Sequence, residues 1–157
     1  MIRVSTLHHV SISVTDMARA RHFYGTVLGL AELPRPPFDF DGAWYAIGDR
    51  QLHLIVHAST RTLRGTTAIE GRDGHFALRV ESIADALAAL HRHGVAVLER
   101  IENDTPWAQL YVTDPDGNVI ELNVDREPAG NGKTQTDGTR GSGFGPRPDP
   151  RSPIPDP

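Results

Sequence analysis

The sequence predicts an α+β fold made of two copies of one small module. Three observations carry this expectation. His9 opens the alternating run HVSISV, and His75 opens HFALRV. His53, in QLHLIV, follows His9 by 44 residues, and Glu121, in NVIELNV, follows His75 by 46. Each half also reads as strand, helix, strand and two-stranded hairpin. A repeat with metal-capable side chains on its first and last strands is hard to explain by packing alone. It reads as a metal site built from two modules, about residues 5–57 and 73–125.

The elements follow in order. Leu7–Val14 alternates with period two, setting Val10, Ile12 and Val14 against His9, Ser11 and Ser13. A helix is expected over Asp16–Leu28, capped by Thr15 or Asp16 and stopped by Gly29. Its apolar stripe is Met17, Ala20, Tyr24, Val27 and Leu28. A short strand near Leu30–Leu33 leads to a hairpin of Ala43–Ile47 with Gln51–Val56. In the second half, His75–Val80 opposes Phe76, Leu78 and Val80 to His75, Ala77 and Arg79. The helix Ile83–His93 is capped by Ser82, stopped by Gly94, and buries Ile83, Ala86, Leu87 and Leu90. Val95–Ile101 gives the next strand, and Gln109–Thr113 pairs with Val119–Val124 across the turn Asp114-Pro115-Asp116-Gly117-Asn118.

Composition narrows the function classes. The chain has 157 residues and a net charge of −4, with no long basic run to favour nucleic acid. It has no cysteine, so any metal must be held by histidine and carboxylate. The N-terminus lacks the charged start and apolar core of a signal peptide, and no apolar run approaches membrane-spanning length. A soluble cytoplasmic protein without membrane or nucleic-acid partners is expected. From about Arg126 to Pro157 the sequence holds seven of the twelve prolines and almost no apolar side chains, which predicts a disordered tail after a domain of residues 1–125.

The closing strands keep the face rule. Leu52, Leu54 and Val56 oppose Gln51, His53 and Ile55, while Ile120, Leu122 and Val124 oppose Val119, Glu121 and Asn123. All four candidate ligands thus lie opposite the helix-packed face, on the wall of a shared cleft if the two sheets curl alike.

The segments LHHVSISVTDMARARHFYGTVLGL, GHFALRV and DPDGNVIELN, in this order and spacing, resemble the vicinal oxygen chelate superfamily of glyoxalases, bleomycin-resistance proteins and extradiol dioxygenases. The resemblance covers roughly Leu7 to Asp125, and RPPFDFDGAWYAIGDRQLHLIV is similar to a single-domain glyoxalase-like subgroup. It implies paired βαβββ modules forming a half-open barrel around one divalent metal, held by His9, His53, His75 and Glu121. It also implies a homodimer and a small-molecule substrate, with the barrel closed either within one chain or across the dimer. Such ligands suit Zn, Ni, Co, Mn or Fe(II).

The implied chemistry is proton abstraction next to a metal-bound carbonyl, with Glu121 as catalytic base, in a glyoxalase-like lyase or isomerase. Two departures separate the chain from glutathione-dependent glyoxalases: His53 replaces their Glu or Gln, and Ser13 stands where they carry an arginine. The alternatives are an Fe(II) extradiol-type dioxygenase using His9, His75 and Glu121, a metal-dependent thiol transferase for an antibiotic, and a metal-free binding protein. Tyr45, Arg79, Gln109 and Tyr111 are candidate substrate contacts, weighed against aromatic packing for the tyrosines and a solvated charge or ion pair for Arg79. His8 reads as structural. His91 and His93, at a helix C-terminus, need no function, and His22 and His57 read as exposed. Phe38, Phe40 and Trp44 fall in or beside a proline-rich loop able to cover the cleft.

Overall fold

A computed structural model describes residues Met1–Arg126, so the tail expected over 126–157 lies almost wholly outside the described residues. Arg126 itself is tied down: its N–H donates to the Pro106 carbonyl at 3.0 Å and its guanidinium to the Asn103 carbonyl at 2.7 Å. Two four-stranded sheets repeat one topology. The first runs β1(His9–Val14), β4(Arg50–Val56), β3(Gly42–Ile47), β2(Glu32–Leu33), and the second β5(His75–Arg79), β8(Val119–Asp125), β7(Trp107–Thr113), β6(Leu98–Arg100). In each, the first and last strands of the module pair in parallel while the hairpins pair antiparallel. That central parallel pair brings the ligand-bearing strands side by side.

The helices follow their caps. In α1(Met17–Arg21) the Asp16 carboxylate accepts from the Arg19 N–H at 2.9 Å. The expected continuation to Leu28 widens into a π-helical turn over His22–Val27, where the Leu28 N–H reaches the Phe23 carbonyl at 2.9 Å. That turn lets the adjacent rings of Phe23 and Tyr24 both enter the core. In α2(Ile83–Arg92) the Ser82 hydroxyl caps the Asp85 N–H, and Gly94, at φ +68°, ends the helix as expected. Strands β1, β2 and β6 are shorter than the alternation suggested.

Apolar faces of both sheets share one core with the helices: Val14, Leu52, Leu54 and Tyr45 from the first, Leu78, Leu110, Ile120 and Leu122 from the second. The Asp114–Asn118 turn clamps the two halves together. Tyr24 donates to Asp114, the Thr15 N–H to Asp116 at 2.9 Å, and Asn118 Nδ2 to the Ser13 carbonyl at 3.0 Å. The connecting segment 57–74 crosses the outer face of the second sheet. Arg64 donates to the Gly117 carbonyl at 2.9 Å, and Gly71 lies against the Tyr111 ring. Among the described residues, no helix is long and apolar enough to cross a membrane.

Candidate functional site

Strand pairing places the four expected ligands as two pairs on outer faces. Ser11 is the register partner of His53, so His9 sits one diagonal step away on the same face. The two imidazoles lie face to face, with centroids 4.2 Å apart and planes 15° apart. Nε2 of His53 approaches Gln51 Oε1 at 2.8 Å, and Nδ1 of His9 approaches Nδ1 of His8 at 2.9 Å. Burial, followed by the neighbouring His9, His8 and Arg35, pushes the His53 pKa down. A neutral imidazole keeps a lone pair free for a metal.

The second pair is more tightly built. Ala77 is the register partner of Glu121, and Nε2 of His75 lies 3.2 Å from Glu121 Oε2. The other ring nitrogen, Nδ1, lies 2.7 Å from the Asp73 carbonyl. Both nitrogens of His75 therefore face oxygen acceptors, and a neutral imidazole has one N–H for the two. With Nδ1–H donated to the backbone, Nε2 presents its lone pair toward the carboxylate, and a metal cation between the two would satisfy both. A ring held by backbone through one nitrogen and presenting the other is how metal-binding histidines are oriented.

Glu121 is buried in a polar chain. Asn123 Nδ2 donates to its Oε1 at 2.7 Å, and Tyr111 is its register partner on the neighbouring strand. Gln109 Nε2 donates to the Tyr111 oxygen at 2.9 Å, and Asn103 Nδ2 to Gln109 Oε1 at 3.1 Å. Burial pushes the Glu121 carboxyl up, but the hydrogen bonds from Asn123, Gln109 and Tyr111, with His75 nearby, outweigh it and hold the pKa below the usual carboxylate value. The same surroundings drive the Tyr111 phenol up to about 12, burial first and then its bond to Glu121.

Among the described residues of one chain, no three His, Asp or Glu side chains converge as a metal-binding group; the expected foursome is two separate halves. Gln109 and Tyr111 stand beside Glu121 on its own face. Arg79 lies on that face but is exposed and paired with Asp125 at 2.8 Å. Tyr45 is a correction. Its register partner is Leu52, so it points into the core, and Trp44, the partner of His53, takes the outer face. Trp44 stacks on His53 at 4.3 Å. The run GAWYAI carries adjacent aromatics on opposite faces, and only pairing with His53 decides between them. Asn123 was legible from parity with Glu121; Asn103, in a loop, carried no such signal.

The chain belongs to the Glyoxalase/Bleomycin resistance protein/Dioxygenase superfamily, whose model matches residues 6–122. Its relatives have diverse activities. Glyoxylase I 4 of Arabidopsis thaliana is 30% identical over 124 residues, covering 77% of this chain and 71% of the relative. Catechol-2,3-dioxygenase of Bacillus subtilis is 27% identical over 121 residues, covering 75% of this chain and 41% of that protein. Among solved structures, TnmS3, an antibiotic binding protein from Streptomyces sp. CB03234, aligns with a TM-score of 0.62 at 26% identity, covering 80% of this chain and all of the other.

Proposed function

We propose that His9, His53, His75 and Glu121 hold one divalent metal (Zn, Ni, Mn, Co or Fe(II)) in a cytoplasmic homodimer, in the catalytic domain formed by residues 1–125. His9 and His53 of one copy would meet His75 and Glu121 of the other. The reaction is proton abstraction next to a carbonyl of a small substrate with adjacent oxygens, as in a glyoxalase-like lyase or isomerase. The observation carrying this reading is His75, held through Nδ1 at the Asp73 carbonyl with Nε2 turned to Glu121 at 3.2 Å, an arrangement that a metal ion between the two would satisfy. The donor set, three imidazoles and a carboxylate, fits such an ion.

A divalent ion supplies Lewis acidity toward the substrate oxygens when bound. The protein supplies the rest. Glu121, kept ionised by its three hydrogen-bonding neighbours, accepts the proton from the carbon beside the carbonyl. Asn123 anchors Oε1, so Oε2, which faces His75, would be the oxygen that leaves the metal position to take the proton. Tyr111 and Gln109 line the same face and orient the carboxylate.

One observation favours a second reading. The His53 ring is stacked on both sides, against His9 at 4.2 Å and Trp44 at 4.3 Å, so it can serve as a wall beside the metal rather than as a ligand. That leaves His9, His75 and Glu121 as the two-histidine, one-carboxylate set of an Fe(II) dioxygenase. Elemental analysis decides between them. About one Zn, Ni, Mn or Co per chain, lost in His9→Ala, His53→Ala and Glu121→Ala alike, supports the lyase or isomerase. Iron retained by His53→Ala, with oxygen consumed in the presence of a catechol, supports the dioxygenase. No metal after reconstitution with each ion sinks both.

A further inference from the structure

The outer face of the first sheet continues beyond His53 into a row of flat side chains. Trp44 stacks on His53, and Phe38 meets Trp44 with centroids 6.1 Å apart. Phe40 lies parallel to Phe38 at 5.2 Å and 16°. Neither phenylalanine is sheltered: Phe38 is 46% and Phe40 41% exposed. More than half of each ring is covered, and the part left open is an apolar surface beside the candidate site that a ligand can cover.

Arg35 adds a charge to this surface. Its guanidinium carbon stands 4.7 Å and 4.8 Å from the centroids of Phe38 and Phe40. One donor goes to the Phe40 carbonyl at 2.8 Å. Among the described residues it forms no ion pair, although Asp39 and Asp41 flank the same loop. The guanidinium lies over Gly42, where a Cβ would meet the Leu54 carbonyl first, at 2.5 Å, and then Nε at 3.1 Å. The proline-rich sequence PRPP, with φ restricted at three positions, limits the loss of freedom on holding this shape.

We propose that Arg35, Phe38, Phe40 and Trp44 form the substrate-recognition subsite for a flat aromatic carboxylate. The rings stack on its π-face, and the guanidinium pairs with its carboxylate. The inference rests on the functional reading above for where the reacting oxygens lie, and names the substrate class that reading leaves open.

The test is calorimetric titration of the full chain with 2-naphthoate, with 2-naphthalenemethanol, which lacks the charge, and with decahydro-2-naphthoate, which lacks the π-face. The naphthoate binds saturably, and each control binds at least about tenfold more weakly. Arg35→Gln and the double variant Phe38→Ala/Phe40→Ala each weaken naphthoate by a similar factor, while circular dichroism and metal content stay as in the parent. Equal binding by Arg35→Gln, equal binding of the saturated acid, or no saturable binding overturns the subsite. So does a dimer that dissociates in the double variant without a change in ligand affinity, which would make the rings an interface between copies. Metal content read on the same samples separates the two ideas. Arg35-dependent binding in a protein that takes up no metal keeps the subsite and removes the metal enzyme.

Discussion

The Tyr24 hydroxyl donates to Oδ2 of Asp114 at 2.9 Å, a bond between residues 90 positions apart that ties the first helix to the turn of the second hairpin. Both groups are buried. Asp114 also accepts from the N–H groups of Asp116 and Asn118 and from Asn118 Nδ2. Tyr24→Phe leaves that carboxylate with its other donors and costs about 1–2 kcal/mol in urea unfolding. Asp114→Ala strands several donors in the interior and costs about 3 kcal/mol or more. Burial raises the Asp114 pKa against those hydrogen bonds. The folded state therefore binds this proton more tightly than the unfolded chain. The contribution of Asp114 to stability falls as pH rises from its unfolded value through its native one, then levels off. Asp114→Asn should abolish that decline in urea midpoints measured across the acidic range.

Glu121 has the opposite sign. Burial raises its pKa, but hydrogen bonds from Asn123, Gln109 and Tyr111 lower it further than burial raises it. Its stabilisation is present above the unfolded carboxyl value, about 4.3, and is lost as pH falls through the depressed native value. Metal-free Glu121→Gln should lose less stability than the parent between these limits. Asn123→Ala, which removes the 2.7 Å bond, should move the native titration upward, read by NMR of the Glu121 side-chain carboxyl. An unchanged titration in Asn123→Ala would remove that residue from the account.

These two sites show what the sequence made legible. Alternation in HVSISV, QLHLIV and NVIELNV places His9, His53 and Glu121 on outer faces, because period two leaves one choice once the apolar residues go inward. Ser82, Asp16, Gly94 and the Asp114–Asn118 turn announce their caps and bends by residue type. Other features depend on contacts between distant segments. Tyr45 and Trp44 are equally able to face a core or a cleft, and only the pairing of Trp44 with His53 settles which does. The π-helical turn at His22–Val27 serves the burial of Phe23 and Tyr24 together. Nothing local says that 57–74 lies over Tyr111, or that Arg35 folds back upon Phe38 and Phe40.

The packing of 57–74 yields its own prediction. Gly117 has φ +85°, and a Cβ there would run into the Thr66 carbonyl. Gly48 also has positive φ, at +55°, but open space around it. Gly48→Ala should cost about 1 kcal/mol for backbone strain alone. Gly117→Ala should cost about 2 kcal/mol or more, since the connecting segment must also move. Limited proteolysis should then cut within 57–74 faster in Gly117→Ala than in Gly48→Ala. Equal costs and equal cleavage would mean the segment does not bear on the turn.

The separation of the ligands into His9 with His53 and His75 with Glu121 makes the proposed dimer testable by mixing. His9→Ala damages one half-site and Glu121→Ala the other, so each homodimer has two defective sites. A mixed dimer has one interface with both lesions and one with neither. If the metal is held across two chains, co-refolding the variants should restore about a quarter of the parent's metal content, since half the dimers are mixed and each regains one of two sites. A site contained in one chain regains nothing, because every chain still carries its own lesion. His9→Ala mixed with His53→Ala is the control. Both lesions lie in the same half, so no mixed interface is intact and metal stays absent under either arrangement.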